Sequence, residues 1–437
     1  MAGWMRYRYV LSLMLCTCGT AEAASDEVLP ELSAFVEAAR GYSVESESNV
    51  VELELTNANV GRAWASLAPR RSVTGNLTRN EFDQTLTVPE VADTSGPRVF
   101  VAENQRELQL ELVVPLVAAG QWTRIAAERR LRDAQRWRSQ ARENAIELLV
   151  TQAYYDFVGQ SQLLRTVRRS LDATSERVRR LESRLASGLA SELDLDQAKA
   201  QEAASVQVIA AVEADVAQSA RRLMTLTGIN PRSYVTTGIE TEVEDAGNAD
   251  YWLSGIGSNP SVEAEKATVD YRERAVAAAW LDVTPDVEAF ARQSLTNAPG
   301  FAPERSVWAL GARATWSLDA TRFNDIALAQ DRASLARLQL RRAANERRNA
   351  VEDTVLRLKA SAQRVFAARI EELASRRALE STLQGNRAGR NTQFDVVLAE
   401  RDLLEAQGAK IQALAALAYL KRVLELESGR SWAERQP

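Results

Sequence analysis

Two stretches of this chain, residues 116–230 and 304–436, contain no proline, and glycine is sparse within both. Between Trp122 and Ser187 the only glycine is Gly159, and between Ala312 and Gln384 there is none. With both strong helix breakers missing, each stretch can open with one uninterrupted helix of about 65 residues, near 100 Å at ~1.5 Å per residue. That is far longer than a globular core can use. At 437 residues the chain also exceeds the usual size of a single core, so an elongated architecture is expected. The 46% hydrophobic and 26% charged composition is that of an ordered protein, and its wealth of Ala, Leu, Arg and Glu favours long helices.

Each long helix runs into nearly the same sentence. "ASGLASELDLDQA" from Ala186 is answered by "RAGRNTQFDVVLA" from Arg387. A shift of 201 places Gly188 on Gly389, Ser191 on Thr392, Asp194 on Asp395, Ala198 on Ala399, Arg221 on Arg422 and Gly228 on Gly429. An internal duplication explains this register. The motif reads as a helical hairpin tip, in which glycine supplies the left-handed residue that ends one helix. Ser191 or Thr392 then caps the next helix, with Asp194 or Asp395 three places on.

Before each long helix the period changes from helical to two. In "ELQLELVVPL", Leu108, Leu110, Leu112, Val114 and Leu116 alternate with Glu107, Gln109, Glu111, Val113 and Pro115. In "SVWALGARATWSL", Trp308, Leu310, Ala312, Ala314, Trp316 and Leu318 share one face. These are strands with one oily and one wet side. Each has an upstream partner, "SVTGNLTRNEFDQTLTV" from Ser72 and "PDVEAFARQSL" from Pro285, which gives four strands per chain. Strands of this length, apolar outward and polar inward with aromatics near the ends, fit a membrane β-barrel. Four strands cannot close, because single-chain barrels need about eight. The chain must therefore assemble with copies of itself: two copies would give eight strands, whose interior side chains fill, and three give twelve, wide enough for a pore.

Residues 1–23 have a positive start (Arg6, Arg8), an apolar run and the small-residue site Ala21-Glu22-Ala23, the pattern of a cleaved secretory signal. Leu15 and Thr17, preceding Cys16 and Cys18, do not suit lipidation, so both cysteines leave with the signal and the mature chain has no disulfide. No later run approaches the ~20 apolar residues of a membrane helix, so any span is β-structure. The chain has no histidine, its net charge is -5, and no cofactor-binding, metal-binding or nucleophile motif stands out. An enzyme, a metal site and a nucleic-acid partner are all disfavoured.

These residues resemble the TolC-like outer-membrane factors of efflux and type I secretion, over nearly the whole mature chain. "NANVGRAWASLAPRRSV" and "AVAAAWLDVTPDVEAF" look like that family's approaches to the strands, "VPLVAAGQ" like its exit from the first hairpin, and the two G-x-x-[ST]-x-[LF]-D motifs like its periplasmic turns. The resemblance implies a mainly α fold with a small β part. Long helices would form a periplasmic α-barrel continuous with a 12-stranded, trimeric outer-membrane β-barrel. It implies a homotrimer in outer-membrane lipid, a periplasmic adaptor and an inner-membrane pump or transporter as partners, and no cofactor. Gly188, Leu189, Ser191, Asp194, Gly389, Thr392 and Asp395 then fall at the tips that meet the adaptor, and Asp395, Asp194, Arg390 and Arg387 become aperture candidates. Some relatives carry an aspartate where this chain has Leu398 and an arginine where it has Asn391. The lipid-facing candidates are Leu108, Leu110, Leu112, Trp308, Leu310 and Trp316.

The expected organisation is a signal at 1–23 and a first repeat at 24–228, with a hairpin about 72–118 and helices about 122–187 and 193–227. A linker at 229–258 leads to a second repeat at 259–429, with a hairpin about 284–318 and helices about 322–386 and 394–428, and a tail at 430–437. A periplasmic coiled-coil adaptor is the alternative. It would show one hairpin beside a compact β domain, whereas here two hairpins alternate with two strand pairs.

Overall fold

The computed structural model describes residues 28–87, 97–244, 246–299, 304–316 and 320–432. The signal expected at 1–23 and the residues from 433 onward lie outside these. In chain order the elements are α1 (Leu32–Tyr42), α2 (Val44–Ala65), β1 (Arg70–Arg79), β2 (Gln84–Thr87), β3 (Pro97–Val101), β4 (Asn104–Val117), α3 (Ala119–Ala186) and α4 (Glu192–Thr227). They continue with α5 (Ala249–Leu253), α6 (Pro260–Leu281), β5 (Asp286–Thr296), β6 (Ser306–Thr315), α7 (Ala320–Arg387) and α8 (Gln393–Ser428).

The duplication extends to the lengths of the paired helices. Helices α3 and α7 each have 68 residues, and α4 and α8 each have 36. Both are offset by 201, whereas α2 and α6, each of 22 residues, are offset by 216. The difference of 15 sits in the hairpin tips, because 24 residues separate β1 from β4 but only 9 separate β5 from β6. The longer tip holds the extra ribbon β2–β3.

The main sheet has the order β1-β4-β5-β6, antiparallel throughout. The helices attached to these strands pack in the same order, with α3 against α2 and α6, and α6 against α7. Beyond the middle of the long helices, α4 replaces α2 beside α3, and α8 replaces α6 between α3 and α7. The protomer is thus a four-wide layer whose flanks are β1, α2 and α4 on one side and β6 and α7 on the other.

The core is concentrated halfway along α3 and α7. One cluster gathers Phe35, Ala39, Val150, Ala153, Phe157 and Leu223, a second Trp252, Val351, Val355, Leu358, Leu417 and Leu424, and a small third, towards the first tip, Val178, Leu181, Leu195 and Ala198. Val150 and Val351, Phe157 and Leu358, and Leu223 and Leu424 are equivalent under the shift of 201, and each is buried. Each contributes roughly 1.5–3 kcal/mol relative to exposure. The linker between repeats wraps this level. Trp252 of α5 is fully buried, donates to the Ala246 carbonyl at 3.0 Å and packs on Trp432, while Val28 bridges to Val235. Buried Glu147 of α3 ties in α8 through Arg422, whose Nε lies at 2.7 Å, and α1 through Arg40 at 3.4 Å.

Three features differ from the sequence reading. Residues before the first strand, to which the sequence reading assigned no helix, form α1 and α2, and the four expected strands form the main sheet while a separate ribbon adds β2 and β3. "SVTGNLTRNEFDQTLTV" is not one strand: β1 ends at Arg79, and Gln84–Thr87 turns away to pair with β3. The alternation through Leu116 also breaks. Pro115 pairs with Glu288 and Val117 with Val287, so Leu116 is the extra residue of a bulge. Pro115 can occupy this strand because β1 pairs only as far as Val113, so no ladder bond is lost on that side.

Candidate functional site: the sheet faces and the helix tips

The register assigns each strand residue to a face, since directly paired residues project to the same side. One face carries Val73, Leu108, Leu110, Leu112, Ala291, Leu295, Trp308, Leu310, Ala312 and Ala314. Leu108, Leu110, Trp308 and Leu310 are exposed there, whereas Leu112 is half-buried. The other face carries Ser72, Thr74, Asn76, Glu107, Gln109, Glu111, Glu288, Arg292, Ser294 and Arg313. Five of its charges are paired across strands: Arg292 with Glu111 at 3.0 Å, and Glu288 with Arg70 at 2.6 Å and Arg313 at 3.0 Å. One side of the sheet is therefore mostly oily and exposed, broken by Arg71 and Gln293, and the other mostly polar, with Val113, Phe290 and Val307 among its charged and polar residues. The last lipid-facing candidate, Trp316, lies one residue beyond β6, and its Nε1 donates to the Val283 carbonyl at 2.8 Å. Leu318, expected on the same face, lies outside the described residues.

At the opposite end of the helices the two tips have the same backbone. Gly188 and Gly389 adopt φ of 67° and 72°, the left-handed region that glycine enters without strain. The amide after each glycine, in Leu189 and Arg390, bonds back to the carbonyls of Arg184 and Gly385 at 2.8 Å, closing a Schellman turn. Ser191 and Thr392 then accept from the amides of Asp194 and Asp395 at 3.1 and 3.2 Å. Each aspartate returns Oδ2 to the cap hydroxyl at 2.7 Å, and to the cap amide at 3.3 Å in the first tip and 2.8 Å in the second. Both are capping boxes. The Thr392 hydroxyl and amide hold the Asp395 carboxyl below its ordinary range.

Leu189, Arg387, Gly389, Arg390 and Asp395 are exposed, and neither aspartate nor either arginine makes an ion pair among the described residues. Asn391 closes the second tip instead: its Nδ2 donates to the Thr382 carbonyl at 3.4 Å, and its own carbonyl accepts from Asn386 at 3.0 Å. A side chain at Gly385 would run into Asn391. Leu398 is exposed on the first turns of α8.

The sequence reading missed the strongest polar contact near the tips. Arg177 of α3 grips Glu400 of α8, with Nη1 to Oε2 at 2.6 Å and Nη2 against Oε1. The side chains are only 10% and 14% exposed, and the pair joins the first hairpin to the second. Burial, with the neighbouring Arg180 charge, lowers the Arg177 pKa to about 10, so it stays charged at neutral pH. Among the described residues no group of His, Cys, Asp and Glu suited to a metal ion occurs, and no helix is long and apolar enough to cross a membrane.

Residues 48–229 match the family model of outer membrane efflux proteins. A curated relative, the outer membrane efflux protein BepC of Brucella suis, is 24% identical over 288 residues, 65% of this chain and 63% of that protein. Among solved structures, the outer membrane protein VceC of Vibrio cholerae is 18% identical, with a TM-score of 0.75 over 92% of this chain and 96% of its own. The CmeC outer membrane channel of Campylobacter jejuni is 14% identical, with a TM-score of 0.75 over 94% of this chain and 90% of its own. Residues 48–229 thus resemble the outer membrane efflux proteins, and over nearly all its length the chain has the fold of VceC and CmeC.

Proposed function

We propose that three copies of this chain close into a channel-tunnel that carries substrates from the periplasm, or from an inner-membrane pump, across the outer membrane. The observation that carries the reading is a sheet with one oily and one polar face whose two edges, β1 and β6, are both open. In lipid an open edge costs several kcal/mol per unpaired backbone group, so it must be closed by another copy. The helices below have matching flanks. On α7, the exposed Leu328, Leu335, Leu356 and Ile370 share one heptad position, and Leu338, Phe366 and Leu373 another. On the far flank, Val44, Val51 and Leu55 of α2 and Leu193, Ala200, Ala203, Ala210 and Ala214 of α4 are exposed with coiled-coil spacing. Large side chains of α7 meeting the small residues of a neighbour's α4 would seal the ring as a knobs-into-holes contact.

Helices of 68 residues span ~100 Å, which suits a wall that crosses much of a periplasm. The names of BepC, VceC and CmeC point the same way. The exposed tips around Leu189, Leu193, Arg390 and Phe394 are the surface for a periplasmic adaptor. Three Asp395 side chains, each with Oδ2 held in its cap and Oδ1 left over, narrow the aperture and favour cations. Planar-bilayer recording tests both parts. The purified chain should insert as channels of uniform conductance, and Asp395→Ala should raise conductance and weaken cation preference. Absence of channels would reject the function, and unchanged currents in the variant would reject the role of Asp395.

A further inference from the structure

Halfway along the helices, a cleft of about 260 Å³ opens between α3 and α8, with Tyr155, Asp156, Gln160, Gln412 and Tyr419 around its rim. Its floor is made of small residues, Gly159, Ala415 and Ala416. Packing does not require the glycine. A Cβ on Gly159 would meet only ordinary contacts, at 3.7 Å from Ala415 and 3.8 Å from Ile411, and alanine is the better helix former. Nor does the duplication require the cleft, since the counterparts of Tyr155, Asp156 and Gly159 under the shift of 201 are Leu356, Arg357 and Ala360. The rim has unused binding capacity. The Gln160 Oε1 is buried and accepts no hydrogen bond among the described residues. Arg222 of α4, the ion-pair partner of Asp156, lies at 3.9 Å, beyond hydrogen-bond reach. Burial raises the Asp156 pKa against the opposing pull of Arg222, so its charged form lacks a full counter-charge. Two phenol rings beside such a carboxylate, over an apolar floor, suit a cation with an apolar body.

The cleft lies on the face of the layer away from the linker. On α3 the linker is met by Gln162, which accepts from the Ile239 amide at 3.5 Å, and on α8 by Lys421, which donates to the Glu242 carbonyl at 3.3 Å. Gln160 and Tyr419 each stand two residues before one of these contacts, ~200° round the helix. In a ring of twelve helices spaced by ~9 Å, the bore has a radius of only ~12 Å. A linker layer ~10 Å thick from each of three copies would fill that bore, so the linker must lie outside the ring and the cleft inside it.

We propose that this cleft binds small amphipathic organic cations, such as an aromatic ammonium, on the wall of the bore, with three sites per channel. Asp156 supplies the counter-charge, Tyr155 and Tyr419 the faces on which the cation rests, and Gln160 a free acceptor. The inference rests on the reading of the chain as a three-copy channel.

The test uses the full mature chain in lipid nanodiscs, with benzyltrimethylammonium as the probe and benzenesulfonate as its anionic counterpart, and follows binding by saturation-transfer NMR. The cation should bind and the anion should not. Asp156→Asn removes the counter-charge, and Ala416→Phe fills the cleft from an exposed position. Each should weaken the cation about tenfold or more. Both variants are scored after they form channels in planar bilayers. There, Ala416→Cys labelled with a polymer maleimide should lower single-channel conductance. If channels form but the cation binds both variants as it binds the parent, or the anion binds equally well, the site is overturned and the channel stands. Unchanged conductance after labelling overturns its place on the bore. If the parent forms no channels, the three-copy reading fails and the site with it.

Discussion

Replacing Glu400 by Gln removes the charge opposite Arg177 while keeping the shape of its side chain. Removing one partner of a buried pair costs roughly 3–5 kcal/mol, and the lower end applies here because both side chains retain a little exposure. The pair joins α3 to α8 between the core and the tips, so the loss should fall on local separation of the two hairpins rather than on global unfolding. At ~1.4 kcal/mol per tenfold, ~3 kcal/mol accelerates amide exchange through that opening on the order of a hundredfold. Hydrogen exchange with mass spectrometry on the assembled protein should show this in peptides from 177–200 and 385–405. Peptides around Val150 and Val351, in the core clusters, should not change. The double variant Arg177→Met, Glu400→Leu should recover most of the protection, since replacing both charges by apolar groups is commonly neutral or better. Exchange within about twofold of the parent in Glu400→Gln, or a double variant worse than either single one, would refute the latch.

Other expectations follow from the tips and the sheet. Gly188→Ala or Gly389→Ala forces a Cβ into the left-handed region at about 1–2 kcal/mol, and limited proteolysis should show faster nicking at the altered tip alone. The lowered Asp395 pKa means that its cap contributes fully above the unfolded carboxyl value and is lost as pH falls through the folded one. Protection of the first turn of α8 should therefore decline in acid, and Asp395→Asn should lose that dependence. Leu310→Arg, on the outward face, should cost roughly 2–4 kcal/mol of membrane folding, measured by denaturant titration in vesicles, whereas Gln109→Arg on the polar face should cost far less.

Much of this architecture is legible because its signals are local. Missing prolines permit the long helices, while Gly188 and Gly389 with the capping pairs that follow write the turns directly into the chain. Alternation likewise marks β6, and β4 as far as its bulge at Leu116. Helix α2 was hidden because its valines, asparagines and Gly61 are poor helix formers. Tertiary bonds hold it instead, from Arg142 to Asn49 at 2.8 Å and to Glu52 at 2.6 Å, and from Gln135 to Glu52 at 2.7 Å. The ribbon β2–β3 belongs to the 15 residues present in one repeat and not the other, so the duplication could not foretell it. The Arg177–Glu400 pair spans 223 positions and has no counterpart in periodicity or motif. Asn391, a departure from the relatives' arginine in the sequence reading, turns out to close its own turn through Thr382 and Asn386.

Native mass spectrometry of the mature chain, extracted from membranes in detergent, tests the central claim most directly. Three copies in one particle is the result expected of a sheet whose open edges, β1 and β6, are completed by its neighbours. A monomer that stays in solution without detergent would contradict it.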